Sequence, residues 1–140
     1  MDTLTEAMVH VGGRDVPIST DQIGGATPVE PFLRGIETHD ANARAAMAAV
    51  WSDSLGPRFY FEHFGEELGP EVVGRSKREF LERLQLVATW FSSAEQGDGA
   101  GDGVDWLAHL DYSIAPDEID YLVTVSLRPD GTVVEIDVES

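Results

Sequence analysis

Apolar and polar positions change period several times along the chain, and each period names a different element. Val9 and Val11, then Val16 and Ile18, alternate with polar neighbours on either side of Gly12-Gly13, the pattern of a β-hairpin around a glycine turn. Pro17 removes one backbone donor, so its strand is expected to leave one side unpaired. The stretch DQIGGATPVEPFLRG, residues 21–35, mixes Gly and Pro with scattered apolar residues. It reads as an irregular connection in which Pro28 and Pro31 limit regular structure.

From Thr38 the period lengthens. In THDANARAAMAAVWSDSLG, Asp40 is a candidate cap, alanines dominate the middle, and Ala43, Met47, Val50 and Trp51 share one side, with Gly56 as the stop. Pro57 suits the first turn of a second helix, PRFYFEHFGEELG, whose apolar face is Tyr60, Phe61, Phe64 and Leu68. Gly65 weakens that helix by roughly 1 kcal/mol relative to alanine without stopping it. A third helix is indicated by SKREFLERL, with Ser76 and Glu79 as the two halves of a capping box and Phe80, Leu81 and Leu84 facing inward.

QLVATWFSS fits two elements: the third helix continuing, or a strand from about Leu86 built on Val87, Thr89, Trp90 and Phe91. AEQGDGAGDGVD is a glycine and aspartate loop. Beyond it, Trp106, Ala108, Leu110, Tyr112 and Ile114 alternate with His109, Asp111 and Ser113, a strand with one wet face in an antiparallel sheet. After the turn APDEI, two more strands follow, carrying Tyr121, Val123, Val125 and Leu127, then Val134, Ile136 and Val138. Two registers are open between them. A two-residue Asp130-Gly131 loop sets Val125 opposite Ile136, whereas a type I turn from Arg128 through Pro129, closed by Gly131 as a bulge, sets it opposite Glu135.

These periods predict an α+β fold over residues 1–140 as a single domain, with residues 1–6 frayed and residues 95–105 a flexible loop. Its elements are an N-terminal hairpin, two or three helices and a C-terminal antiparallel meander of three or four strands. Helices are expected to cover the sheet face bearing Trp106, Leu110, Tyr112, Val123, Val125 and Ile136, and Trp51, Trp90 and Trp106 to help build the core. The opposite face is expected to be wet or an interface.

Charge alters the picture of partners. The chain carries 26 Asp and Glu against 9 Lys and Arg, a formal net charge of -17, which repels phosphate backbones and anionic lipid surfaces. Nucleic-acid and membrane binding are therefore not expected. The acids run from end to end, favouring adaptation to a high-salt cytoplasm, where screening tolerates crowded carboxylates. A basic protein partner is the competing explanation. With 42% hydrophobic residues in periodic runs, disorder is not expected. There is no cysteine, no signal-like N-terminus and no run near the ~20 apolar residues of a membrane span, so the cytoplasm is the expected compartment.

Candidate chemistry is sparse. His63 lies among Glu62, Glu66 and Glu67, but a second histidine is missing from the zinc pattern, so a surface hydrogen bond is the expected role. An EF-hand register from Asp98 fails where Ala100 and His109 replace ligands. Gly12-Gly13 and Gly24-Gly25 do not fit phosphate-binding loops, and no serine sits in a Gly-x-Ser-x-Gly elbow. No catalytic, cofactor or metal site is assigned. The polar positions of the meander, His109, Asp111, Thr124, Glu135, Asp137 and Glu139, remain as a candidate site or interface.

Four strings, FYFEHFGEEL, EFLERLQLVATWF, LDYSIAPDEIDYLVTVSL and the closing DGTVVEIDVES, together resemble a small bacterial and archaeal domain-of-unknown-function family. The resemblance implies a helical middle followed by an antiparallel meander and tips QLVATWF toward a strand. Some members look like immunity proteins encoded beside toxins, which implies a protein partner and no catalysis. The alanine-rich first helix and the long EQGDGAGDGVD loop depart from the family pattern. Three functions are thus expected in turn: a protein-binding module of immunity type, a small-ligand-binding or hydrolytic enzyme using His109 and Asp111, and a structural homodimer joined by the sheet.

Overall fold

The alternating segments at the two ends of the chain meet in one sheet. The structure, a computed structural model, describes residues 8–11, 14–19, 30–51, 57–93, 106–115, 119 and 121–139. Its strands are β1 (Met8–Val11), β2 (Arg14–Ser19), β3 (Gln85–Ser93), β4 (Trp106–Ser113), β5 (Leu122–Leu127) and β6 (Val133–Glu139), side by side in that order. The architecture is α+β, with the hairpin, the helices and the antiparallel β3–β6 meander in the expected sequence.

Among the described residues only β2 and β3 run parallel, and they can because the five described helices lie between them in the chain, giving the long crossover that a parallel pair requires. The unpaired side expected of β2 is found at Pro17, which pairs with Met8 of β1 on one side while the β3 ladder takes up only Ile18 and Ser19, just beyond it. Pro17 is accommodated for that reason.

The helices are α1 (Glu30–Arg34), α2 (Ile36–Ala49), α3 (Pro57–Leu68), α4 (Pro70–Val73) and α5 (Lys77–Arg83). Of the stretch read as irregular, residues 30–34 form α1. Pro31 sits in its first turn, where a missing N–H costs nothing, and buried Phe32 meets Phe91 and Trp106 edge-on at 5.9 and 5.8 Å. Asp40 does not cap α2. The helix starts at Ile36, which is buried together with Ala43 and Met47, and Asp40 lies within it. Its carboxylate instead accepts the Tyr112 hydroxyl at 2.6 Å and the Arg44 Nε at 3.2 Å, while the Arg44 guanidinium lies 5.0 Å from the Tyr112 ring centroid. Burial, and then the adjacent Asp40 charge, push the Tyr112 hydroxyl pKa well above its ordinary value.

Helix α3 starts at Pro57 as expected and buries Tyr60 and Phe64. The Tyr60 hydroxyl donates to the Tyr121 carbonyl at 2.9 Å and accepts the Ile114 amide at 3.2 Å, tying α3 to the chain on either side of the β4–β5 connection. In α5, Ser76 Oγ accepts the Glu79 amide at 3.2 Å, while the Glu79 carboxylate reaches one residue further back than in a standard capping box, to the Arg75 amide at 2.8 Å. Phe80, Leu84, Met47 and Tyr60 then pack toward Leu110, Tyr112, Val123 and Val125 of the sheet, all of them buried.

The β5–β6 connection combines the two registers that the sequence leaves open. Gly131 N–H donates to the Arg128 carbonyl and Arg128 N–H to the Thr132 carbonyl, each at 2.8 Å, so the turn is the one that Pro129 favours, with Gly131 at φ +93°. Two residues beyond Thr132 a second irregularity shifts the ladder, so that Leu127 faces Val133 while Val125 faces Ile136. The extra residue is Val134, which alternation assigns to the core; this is corrected, since as the bulged residue it stays 42% exposed, and the shift returns Ile136 and Val138 to the core side. A Cβ on Gly131 would lie 2.8 Å from His39 Nδ1 in a backbone conformation that disfavours side chains. Gly131→Ala is expected to cost roughly 1–3 kcal/mol in urea unfolding. Adding His39→Ala should recover the steric part, and an unchanged midpoint in Gly131→Ala would contradict this turn.

Candidate functional site

Alternation places His109, Asp111 and Ser113 of β4 on the sheet face opposite Leu110 and Tyr112, and register aligns them with polar neighbours. One cross-strand row runs Trp90, His109, Ser126, Glu135, and the next runs Ala88, Asp111, Thr124, Asp137. Trp90 belongs to this face because β3 carries one extra residue, Val87, between its pairings at Leu86 and Ala88. The bulge changes the phase of the strand. Leu86, Thr89 and Phe91 are buried on the helix side, whereas Ala88, Trp90 and Ser92 turn to the other.

Side chains in and beside these rows form two hydrogen-bonded sets joined by a ring stack. His109 Nε2 is 2.7 Å from Ser92 Oγ and its Nδ1 is 2.8 Å from Ser126 Oγ. The Trp90 indole stacks on the imidazole with ring centroids 3.9 Å apart, and its Nε1 donates to Asp111 Oδ2 at 3.1 Å. The other Asp111 oxygen accepts the Thr124 hydroxyl at 2.7 Å. These contacts are diagonal or directly cross-strand, so they depend on the register as much as on residue type.

Burial is the unexpected property of this face. The sequence predicts it to be wet or an interface; it is not wet, since His109, Asp111, Ser113, Thr124 and Ser126 are each at most 9% exposed. The correction has a physical reason: Trp90 covers the imidazole, and short polar side chains bonded sideways to one another shield their own polar atoms. Burial lowers the His109 pKa from 6.5 to about 4, so the ring is neutral at pH 7. One ring nitrogen then donates to its serine and the other accepts from its serine.

Of the six sequence candidates, the structure brings together His109, Asp111 and Thr124. Glu135 and Asp137 extend the same two rows at the sheet edge, with Glu135 exposed and Asp137 half-buried. The Glu139 backbone pairs with Leu122, and its side chain lies outside the described residues. Sequence reasoning missed Trp90, Ser92 and Ser126. Ser126 carried a readable signal, the same alternation as Thr124, but Trp90 and Ser92 depended on an element that could be read as helix or strand. Trp90 is also corrected from core to polar face; Trp106 is buried in the core, and Trp51 packs on Phe61 and Phe80.

His63 makes an exposed contact with Glu67 at 3.6 Å, one helical turn away. The Asp98–Asp105 loop, the paired glycines and the Gly56 stop lie outside the described residues. Among the described residues no helix is long and apolar enough to cross a membrane. No family model, curated protein or solved structure matches the chain.

Proposed function

We propose that this chain is a non-enzymatic protein-binding module, an immunity-type inhibitor in the sense that the family resemblance implies, acting in the cytoplasm through the carboxylate-bearing β4–β6 side of its sheet. The observation that carries this reading is the closure of the polar array. Both ring nitrogens of His109 and both carboxylate oxygens of Asp111 already have neighbours on the sheet, which makes the face rigid and pre-organised. A surface of that kind suits recognition, with the charges of Glu135 and Asp137 at its rim steering a basic partner.

The test is a pulldown with the full chain followed by binding measurements across a salt series. A specific partner whose association slows as salt rises is expected. No specific partner at any salt concentration would end this reading. The same series addresses the net charge of -17: midpoints of unfolding are expected to rise from dilute buffer to molar potassium chloride as carboxylate repulsion is screened. Equal stability in both would remove salt dependence from the account of the acidic surface.

One contact favours a second reading. Ser92 Oγ at 2.7 Å from a neutral His109, with Ser126 holding the far ring nitrogen, has the order of nucleophile, base and orienting group found in hydrolases. An active-site fluorophosphonate separates the two functions. The binding module should not be labelled, whereas stoichiometric labelling abolished by Ser92→Ala would establish the hydrolase. Sedimentation is expected to show a monomer, and a dimer at working concentration would favour the structural homodimer.

A further inference from the structure

We infer that the outer edge of β6, with the apolar cleft between it and α2, is the docking site for an extended segment of a partner protein whose side chains alternate basic and apolar; this deepens the binding-module reading and rests on it. Among the described residues β6 ends the sheet and pairs only with β5, so its second row of backbone donors and acceptors faces outward. An added strand extends the two faces that β6 already has. On one side its residues come beside Glu135 and Asp137, and on the other beside Ile136 and Val138.

The apolar side has somewhere to put such residues. A cleft of about 380 Å³ is lined by Ala46, Ala49 and Val50 of the α2 end and by Val133, Val134, Glu135 and Ile136 of β6, all of them apolar except Glu135. Val50 and Val134 are 37% and 42% exposed, and Val134 stands out because it is the bulged residue. On the polar side the exposed Glu135 and the neighbouring Asp137 select the sign of the ligand. A second copy of β6 would set carboxylates against carboxylates across the new ladder, which is destabilising, whereas Lys or Arg at every second position is complementary. Edge carboxylates by themselves protect a sheet from self-association. They do not require an apolar cleft continuous with the edge, and a strand-shaped ligand does.

The probe is a fluorescent peptide of about seven residues alternating Lys and Val. It is compared with a peptide of the same composition carrying its lysines in one block, and with two N-methylated forms blocking alternate amides in either phase. Full-length protein is titrated by fluorescence anisotropy at about 0.15 M salt. The alternating peptide should bind about tenfold or more tightly than the blocked one, and one N-methyl phase should lose about tenfold while the other does not. Hydrogen exchange should slow over Val133–Glu139. Glu135→Lys with Asp137→Lys should reverse the preference toward a Glu-Val peptide, and Val134→Lys, which leaves those carboxylates in place, should weaken the Lys-Val peptide separately.

Equal binding of alternating and blocked peptides, or insensitivity to both N-methyl phases, would reduce the effect to net charge and overturn the inference. A dimer protected over β6 would overturn it in favour of self-pairing. If a partner from the salt series binds the double charge variant and Val134→Lys as well as the original chain, the edge site falls while the binding module stands. If no partner binds at all, the module falls too.

Discussion

Phe80→Ala is expected to lower the free energy of unfolding by about 3–5 kcal/mol. Phe80 has no exposed surface, and its ring lies 5.2 Å from Phe61, 5.8 Å from Trp51 and 5.9 Å from Tyr60 by centroid. It is the point at which α3, α5 and the chain just past α2 converge. Alanine there removes the apolar surface and leaves a cavity walled by three rings that cannot all move inward without breaking other contacts. The Tyr60 hydroxyl is held by the Tyr121 carbonyl and the Ile114 amide, so its ring is the least free to collapse. Urea unfolding of Phe80→Ala beside Phe80→Leu checks this, with leucine retaining most of the stability. An alanine variant within about 1 kcal/mol of the original would contradict this packing.

Acidification should weaken the fold through His109. In the unfolded chain the imidazole titrates near 6.5 and in the folded protein near 4, because burial disfavours its charged form. The folded pKa of this base is depressed, so the unfolded state binds the proton more readily. The stability contributed by the neutral ring is therefore fully present above about 6.5. It declines as the pH falls and is gone below about 4. Allowing for the solvent that still reaches this sheet face, the loss is on the order of 2 kcal/mol. His39, whose pKa is also lowered by burial, acts in the same direction.

Carboxylates titrate in the same window and relieve the net negative charge, so the raw pH profile mixes effects of opposite sign. His109→Gln separates them. At pH 7 it should be less stable than the original by about 1–3 kcal/mol, having lost the stack on Trp90 and one serine contact. That gap should narrow steadily from pH 6.5 to pH 4. A gap that is flat with pH would mean that the ring is not held neutral by the fold.

Much of the element order was legible locally. Val9 to Ile18, Pro57 to Leu68, Ser76 to Leu84 and Trp106 to Ile114 each carried a period or a cap strong enough to name the element that forms. Where the reading failed, longer-range contacts decided. Asp40 has the chemistry of a helix cap, but burying Ile36 draws the helix start back one turn, and the carboxylate is then engaged by Tyr112 from 72 residues away. Pro31 suggested a break and became the opening turn of α1, because Phe32 has a place against Phe91 and Trp106. The candidate site was half legible. His109, Asp111 and Thr124 follow from alternation, whereas Trp90 and Ser92 needed the position of a bulge.

The amino-acid sequence by itself determined the α+β class, the meander, its acidic character and the two faces of β4 and β5, because side-chain alternation and turn chemistry act over a few residues. The tertiary structure decided what those faces hold. Two bulges, at Val87 and Val134, choose which residues share a side. The first swings Trp90 over His109, and the second restores Ile136 to the core after a turn that on its own would have misaligned it. A bulge wins when one inserted residue saves an entire strand from turning its apolar side to water, and that balance exists only once the neighbouring strands and helices are in place.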